Sequence, residues 1–520
     1  LRLGCDTYSS DYNPVAVLIE KATLEWPLIF GVMIPHPEKR PGVDGKIEKV
    51  NLLSYMIDKW ANLILHETKN EIGKFYPNDE DGGIPIGYFF NRTIPCQNPN
   101  CKSEIPLNTN FWLANKKEKK VAYKPIVNHD KRKIEFKIVE TDIYDFDPSE
   151  GTESIGDGKC IVCGQVTKAK IVKKLARDGK MGQRLIAVIL SYPDKIGKKY
   201  RIATETDIEI YNKAEEYLQK KMENWPFTDN PIPDEKIHTP DNKNYEPGGL
   251  LYNFTPILLY GMTQWKDLFN ARQTLALITF VEKVKFAYIK IKKDCENLEL
   301  GKYGFDLDDF AKAVAGYLGI GIDRIAIYET NLGYWHNTRE LVNPGMGRQA
   351  VSMSWDYAET NIFEGNGNWS SAIRWIIKVI ENVSQASSQK FNIIQVNQSS
   401  ATSLNYPDNY FDAIFTDPPY YDNVPYADLS DFFYVWLKRS IGDFFPDLFS
   451  TPITPKSNEI IAELPLLRGM SKEKASKLIS RIKTKKTFEN MLSSSFEEIS
   501  GTLKLDGIAT LKSTNLGIAF

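Results

Sequence analysis

Asp417-Pro418-Pro419-Tyr420 stands directly after the apolar run FDAIFT, residues 411 to 416. Such a run predicts a buried strand. In open α/β sheets ligands bind at the carboxyl ends of the strands, so the tetrapeptide falls where a site is expected. Its residue types define a chemistry. An amine conjugated to a ring is a poor nucleophile because its lone pair is delocalised. A carboxylate at Asp417 and the carbonyl of Pro418 can each accept one N–H, drawing the nitrogen toward tetrahedral geometry as it attacks an activated methyl group. Pro418 and Pro419 hold those acceptors rigidly, and Tyr420 offers a flat face to an extruded base. Base–aromatic stacking contributes about 1–3 kcal/mol, which offsets part of the few kcal/mol of unstacking. With Asp, Pro and Tyr each near 5% of residues, the string arises by chance about 0.003 times in a chain of this length, so coincidence is a poor explanation. A polar turn that merely closes a strand is the competing reading, since Pro-Pro favours turns.

A second constellation is made of cysteines. Cys96-QNPN-Cys101 and Cys160-IV-Cys163-Gly164 form two knuckles separated by 58 residues. Four thiolates suit the tetrahedral, closed coordination of structural zinc, which leaves no position for a reacting water. The metal is expected to stabilise an insert, not to catalyse. Cys5 and Cys295 lack partners of this kind, and His36, His66, His129, His238 and His336 are scattered, so none is assigned to metal.

The elements that must position these groups follow from periodicity. CDTYSS near the N terminus predicts a strand, SDYNP a turn, and VAVLIEKATLE a helix. Apolar residues at three and four spacing make Asn51 to Phe75 an amphipathic helix. From 85 to 205 the texture changes to short aromatic and Lys-rich strands around the cysteines, read as an inserted ribbon domain. Helices dominate 206 to 390, notably 206 to 222, 265 to 292, 306 to 328 and 369 to 382, and form a cap or target-recognition region. FNIIQV (391 to 396), FDAIFT and GIATLK (507 to 512) then alternate with helices at 428 to 440 and 471 to 500, as buried parallel strands do. The expected fold class is α/β, a Rossmann-like sheet with a zinc-ribbon insert and a helical cap. Four regions follow: 1–84, 85–205, 206–390 and 391–520.

TDPPYYDNVPYADLSDFFYVWLKR (416 to 439), GRQAVSMSWDYAE (347 to 359), LFNARQTLAL (268 to 277) and SDYNPVAVLI (10 to 19) together resemble the adenine-specific DNA methylases that carry a zinc ribbon. DPPY after a strand is similar to the catalytic motif of S-adenosylmethionine-dependent amino methyltransferases. The resemblance spans almost the entire chain and implies catalysis at Asp417, Pro418, Pro419 and Tyr420. It also implies S-adenosylmethionine near Asp11 and Asn13, with Asp11 on the ribose hydroxyls. A carboxylate suits a vicinal diol because it accepts two donors. Ser400-Ala401 takes the place where the family pattern has Asp-Ala beside the cofactor's adenine. The family's glycine-rich loop would fall just upstream of LRLG at the start of this sequence, and Gly345-Met346-Gly347 follows Asn343-Pro344 without a clear strand. The chain is therefore expected to be a fragment lacking that loop, and by itself not to bind the cofactor usefully.

Composition limits the alternatives. The chain has 520 residues, 42% hydrophobic and 25% charged, with a formal charge of -2, which excludes wholesale disorder and any global field for phosphates. The most apolar stretches fall short of the ~18 continuous residues of a spanning helix. Six cysteines, four of them in close pairs, suit a reducing, cytoplasmic setting. DNA contact must come from local patches. Residues 116 to 137 carry nine Lys or Arg against three acids, and 168 to 184 carry seven against one; a solvated surface is the other reading of both. Arg272-Gln273 and Arg348-Gln349 could read bases or tie the cap to the sheet. Trp355, Tyr357, Phe432 and Trp436 read as core. The leading expectation is a DNA adenine methyltransferase, in a defence or restriction complex. The alternatives are an RNA guanine amino methyltransferase and a non-catalytic zinc-ribbon scaffold that binds nucleic acid.

Overall fold

A computed structural model describes residues 4–42, 45–140, 146–237, 255–347, 350–386, 393–421, 424–462 and 483–512. Its principal core is helical. Asn51 starts the Leu52–Ile72 helix, its side chain accepting from the Ser54 N–H, and the apolar face of that helix meets Ala271–Asn297 and Trp369–Ala386. Asn270 caps the Ala271–Asn297 helix in a reciprocal box with Gln273. Leu307–Ala326 crosses Tyr426–Ile441 so closely that a Cβ on Gly319 would lie 2.8 Å from Ile441. Trp369, Trp436, Phe280 and Phe310 fill the space between these helices.

The Cys160–Cys163 knuckle joins Asp157–Lys159 to Val166–Thr167 in a small three-stranded sheet, whereas the Cys96–Cys101 knuckle belongs to a larger, mixed-length antiparallel sheet. In order across it run Lys198–Ile202, Gly182–Ser191, Ile84–Pro95 and Asp356–Thr360, with Glu104–Leu107 also pairing to Ile84–Pro95. The central strand Ile84–Pro95 is buried along nearly its whole length, which its sequence IPIGYFFNRTIP permits on both faces. A three-stranded meander, Trp112–Lys116, Lys119–Asn128 and Lys133–Glu140, adds Phe111, Leu113 and Tyr123 to a second core with Phe89, Ile186 and Ile189. The outer strand Asp356–Thr360 comes from residues 206 to 390, so ribbon and cap share one sheet.

Thr7–Asp11 runs parallel to Ile394–Gln398, and Phe411–Thr416 runs parallel to Leu503–Leu511. Among the described residues each pair stands as a separate two-stranded sheet. The runs expected as parallel strands form strands over their described residues, but their burial is uneven. Val396 is buried, whereas Phe415 is 75% exposed, Leu505 101% and Ile508 66%. The long C-terminal helix is described over Lys485–Thr502, and the earlier part of its expected span lies outside the described residues.

Candidate functional site

The Phe411–Thr416 strand delivers Asp417 at its carboxyl end, with the side chain half-exposed. The two carboxylate oxygens have different partners. Oδ1 accepts from the Tyr420 hydroxyl at 2.6 Å, and Oδ2 accepts from Lys512 Nζ at 2.9 Å. Lys512 follows the Leu503–Leu511 strand, whose parallel pairing brings both strand ends to one side, and its N–H donates to the Thr416 carbonyl at 3.0 Å. The Tyr420 hydroxyl first, and then the Lys512 ammonium, hold the Asp417 carboxyl below the usual carboxylate range. Among the described residues none donates a hydrogen bond to the carbonyl of Pro418. The Tyr421 N–H closes on the Pro419 carbonyl at 3.1 Å with Tyr421 at φ 51°, so the Pro-Pro segment ends in a tight turn. Sequence reasoning did not single out Lys512; its signal was its place at the end of GIATLK.

Asp11 and the start of the next helix form the matching end of the other strand pair. Asp11 Oδ1 accepts from the Asn13 N–H at 2.7 Å, yet burial raises its carboxyl above the usual range. Asn13 is committed inside the fold: Oδ1 caps the Pro14–Glu20 helix through the Val15 N–H at 3.0 Å, and Nδ2 donates to Ser430 Oγ at 2.8 Å. Ser430 lies on the Tyr426–Ile441 helix, whose first residue Tyr426 feels the Asp417 charge, so this helix links the two strand ends. Ser399 N–H donates to the Asp11 carbonyl at 3.1 Å, and Ser400 Oγ lies 2.8 Å from Thr402 Oγ1. Ser400 also lines a cavity of about 370 Å³ with Tyr12, Gln398, Asp447 and Thr451, while Ala401 is exposed. A cavity of about 1160 Å³ adjoins that one, sharing Gln398, Ser399, Asp447 and Leu448 and reaching Trp26, Phe30 and Gln395, and another of about 1020 Å³ lies elsewhere. The parallel strand ends thus gather Asp11, Asn13 and Ser400 in one place, and Asp417, Tyr420 and Lys512 in another.

The four-cysteine cluster is the most completely built centre. The sulfurs of Cys96, Cys101, Cys160 and Cys163 all lie within 4.8 Å of one another, with Cys96–Cys163 at 3.6 Å and Cys101–Cys160 at 3.9 Å. A zinc tetrahedron with ~2.3 Å bonds has edges of about 3.8 Å, so this set fits zinc. The second knuckle closes through the Gly164 N–H to the Cys160 carbonyl at 2.9 Å, with Gly164 at φ 74°. The first, with four residues between its cysteines, closes through the Cys96 N–H to the Ser103 carbonyl at 2.8 Å and places Lys102 at φ 56°. Buried Ser103 puts its hydroxyl 3.1 Å from Cys101 Sγ and 3.2 Å from Cys160 Sγ, a role the sequence reading missed. That hydroxyl is the main reason the Cys101 thiol drops to about 7, whereas burial pushes Cys96 up to about 12. Cys295 is buried apart from this centre and Cys5 is exposed.

The polar pairs considered for base reading divide. Arg272 and Gln273 are buried, with the Arg272 guanidinium 3.8 Å from the Tyr88 ring centre and its Nε donating to Glu359 Oε1 at 2.6 Å. Asn270 Nδ2 donates to Glu359 Oε2 at 2.7 Å, so LFNARQTLAL and SWDYAE meet in one interior ion pair. Arg272-Gln273 therefore ties the cap to the sheet and has no path to a base. Arg348-Gln349 lies outside the described residues. Trp355, Tyr357, Phe432 and Trp436 are buried in the core. Among the described residues no helix is long and apolar enough to cross a membrane. Comparison with protein-family models, with curated proteins and with solved structures returns no match for this chain.

Proposed function

We propose that this chain carries the catalytic part of an S-adenosylmethionine-dependent DNA methyltransferase that modifies the exocyclic amine of a flipped adenine. The observation that carries the reading is the half-exposed Asp417 carboxylate, in a DPPY string, at the carboxyl end of a parallel strand. The resemblance to zinc-ribbon adenine methylases supplies the substrate class. When bound, S-adenosylmethionine would contribute the electrophilic methyl group. Asp11 has the chemistry to take its ribose hydroxyls, with Ser400 and Ala401 beside its adenine; Asn13 serves by fixing the turn that holds Asp11. The incoming amine displaces the Tyr420 hydroxyl from Asp417 Oδ1 and gives its second N–H to the Pro418 carbonyl. Tyr420, displaced from Asp417, turns its ring to stack on the base. Lys512 stays on Oδ2 and keeps the carboxylate ionised. The four thiols would hold zinc with its coordination closed, so no step passes through the metal.

The test is transfer of labelled methyl groups by the full-length protein to plasmid DNA and to transfer RNA. Methylated adenine in DNA, lost in Asp417→Ala while DNA binding persists, is the expected result. Methylated guanine in RNA without methylated adenine overturns the substrate. Nucleic-acid binding with no transfer to either identifies a scaffold, and a defence or restriction complex would be its setting.

A further inference from the structure

The two basic runs in the ribbon have different fates. In the first, Lys116 and Lys119 both turn onto the buried Glu340 carboxylate, which also accepts from the Tyr200 hydroxyl at 2.6 Å. Lys120 lies over the Trp112 ring, and the hairpin tip Lys131-Arg132-Lys133 sits between Asp130 and Glu135. Lys116 and Lys119 are thus already paired within the fold.

The second run makes the Ala169–Arg177 helix, which packs against the cysteine centre through Val172 and Leu175, with Ala176 buried beside them. At 100° per residue these define one face, and Lys170, Lys174 and Arg177 fall on the opposite one. The Asp157 carboxylate accepts from the Ala169 N–H at 2.7 Å and fixes the start of the helix. At its far end Gly179, at φ 69°, lets the Lys180 N–H reach the Leu175 carbonyl at 2.8 Å, which adds a fourth cation. Lys170, Lys174, Arg177 and Lys180 are exposed, and among the described residues none has a hydrogen-bonding or ionic partner for its side chain. Lys168 is paired with Asp157, and Lys173 lies against Tyr260. Lys102 and Lys159, both exposed, stand beside Cys101 and Cys160 on the same centre. The one acid within the helix's last turn and cap is Asp178.

We infer that this helix face is the surface by which the chain grips the phosphate backbone of double-stranded DNA. The warrant is charge complementarity on a rigid mount: Lys170 to Arg177 spans about 10 Å at 1.5 Å per residue. Duplex DNA carries one charge per ~1.7 Å of axis, so the face can engage several phosphates without a register to any base. The choice of DNA rests on the proposed methyltransferase reading; the surface itself does not.

The experiment measures binding of the full-length, zinc-loaded protein to a duplex without S-adenosylmethionine, across a salt series. Lys170→Gln/Lys174→Gln/Arg177→Gln/Lys180→Gln is expected to flatten the slope of log K against log salt by about 3 to 4, at ~0.9 per phosphate contact, with at least a tenfold loss of affinity at low salt. Zinc content and circular dichroism should match the parent. The companion Lys116→Gln/Lys117→Gln/Lys119→Gln/Lys120→Gln variant should change the slope by no more than about 1. An unchanged slope in the helix variant overturns the inference, as does a larger change in the companion or a preference for duplex RNA over duplex DNA. DNA binding through this helix with no methyl transfer overturns only the methyltransferase reading; methyl transfer with an unaltered slope overturns only this surface.

Discussion

The cysteine-centred sheet and the parallel strand pairs are built by opposite physical logics. In the sheet, Ile84–Pro95 is enclosed by partner strands, the Cys101 and Cys160 thiols share buried Ser103, and nearby charges are matched: Glu340 by Lys116 and Lys119, Glu359 by Arg272. In the strand pairs, apolar side chains such as Phe415 and Ile508 face outward, and among the described residues Asp417 is held by Tyr420 and Lys512. The first arrangement makes structure, because burial leaves its polar groups no alternative partners. The second leaves a carboxylate able to exchange partners, which a binding site requires. Substitutions in the sheet should therefore cost stability, and substitutions at the strand ends should cost chemistry alone.

The largest effect should come from the metal centre. Structural zinc is worth about 10–16 kcal/mol in peptide systems, and here its ligands join the end of the central strand Ile84–Pro95 to the small Asp157–Lys159 sheet. Elemental analysis should find one zinc per chain in the parent, and Cys160→Ser should abolish it and open residues 84 to 202 to limited proteolysis. A variant that keeps its Tm and its protease resistance would break the comparison at its strongest point. Next comes the interior ion pair. Glu359→Gln leaves the Arg272 guanidinium buried without its counter-ion, at a cost of about 3–5 kcal/mol in urea unfolding. Removing both partners, in Arg272→Met/Glu359→Gln, should recover part of that loss.

Glu340 gives the comparison a pH dependence. Burial alone would raise its carboxyl, but hydrogen bonds from Lys116, Lys119 and Tyr200 outweigh it and bring the group down to about 2. A carboxyl lowered on folding adds stability above its ordinary value near 4.3, and that stability fades as pH falls toward 2. Because both lysines are partly exposed, the contribution is about 1–2 kcal/mol. Glu340→Gln should lower the Tm at pH 7 and reduce the loss of stability between pH 4.5 and 2. A parallel acid decline in parent and variant would assign the dependence to another group.

How far the sequence could anticipate this contrast depends on the range of each interaction. The strands Phe411–Thr416 and Thr7–Asp11, the helix Leu52–Ile72 and the four-cysteine centre follow from local periodicity and spacing, which the chain carries within a few residues. Ser103 was legible in part, two positions after Cys101, but nothing local says that its hydroxyl also faces Cys160. The Arg272–Glu359 pair joins segments 87 residues apart, and no periodicity in either segment distinguishes an interior guanidinium from a base-reading one. The pairing of Asp356–Thr360 with Ile84–Pro95, and of Lys512 with Asp417, likewise needs the topology. Exposure of the parallel strands was misjudged for a related reason: an apolar run states what a segment prefers to bury, not whether enough neighbours surround it.

The smallest predicted effect separates the strand ends from the sheet most sharply. Asp417 must be ionised to accept an amine hydrogen. Its carboxyl is already held low by the Tyr420 hydroxyl and, second, by Lys512, so the acid limb of kcat/KM should lie below the ordinary carboxylate range near 4. Lys512→Met removes the weaker of these two influences and leaves the Tyr420 hydrogen bond in place. The limb should move upward without reaching the ordinary value. Stability should stay within about 0.5 kcal/mol of the parent, because both side chains are half-exposed or more. Asp417→Asn, by contrast, should lower kcat by on the order of 10²–10³-fold with the same unchanged Tm, since an amide is a weaker acceptor than a carboxylate where positive charge develops on the amine. If Lys512→Met lowers the Tm by as much as Glu340→Gln does, the ion pair at residue 417 is a structural tie of the same kind as those in the sheet, and the division between the two regions fails.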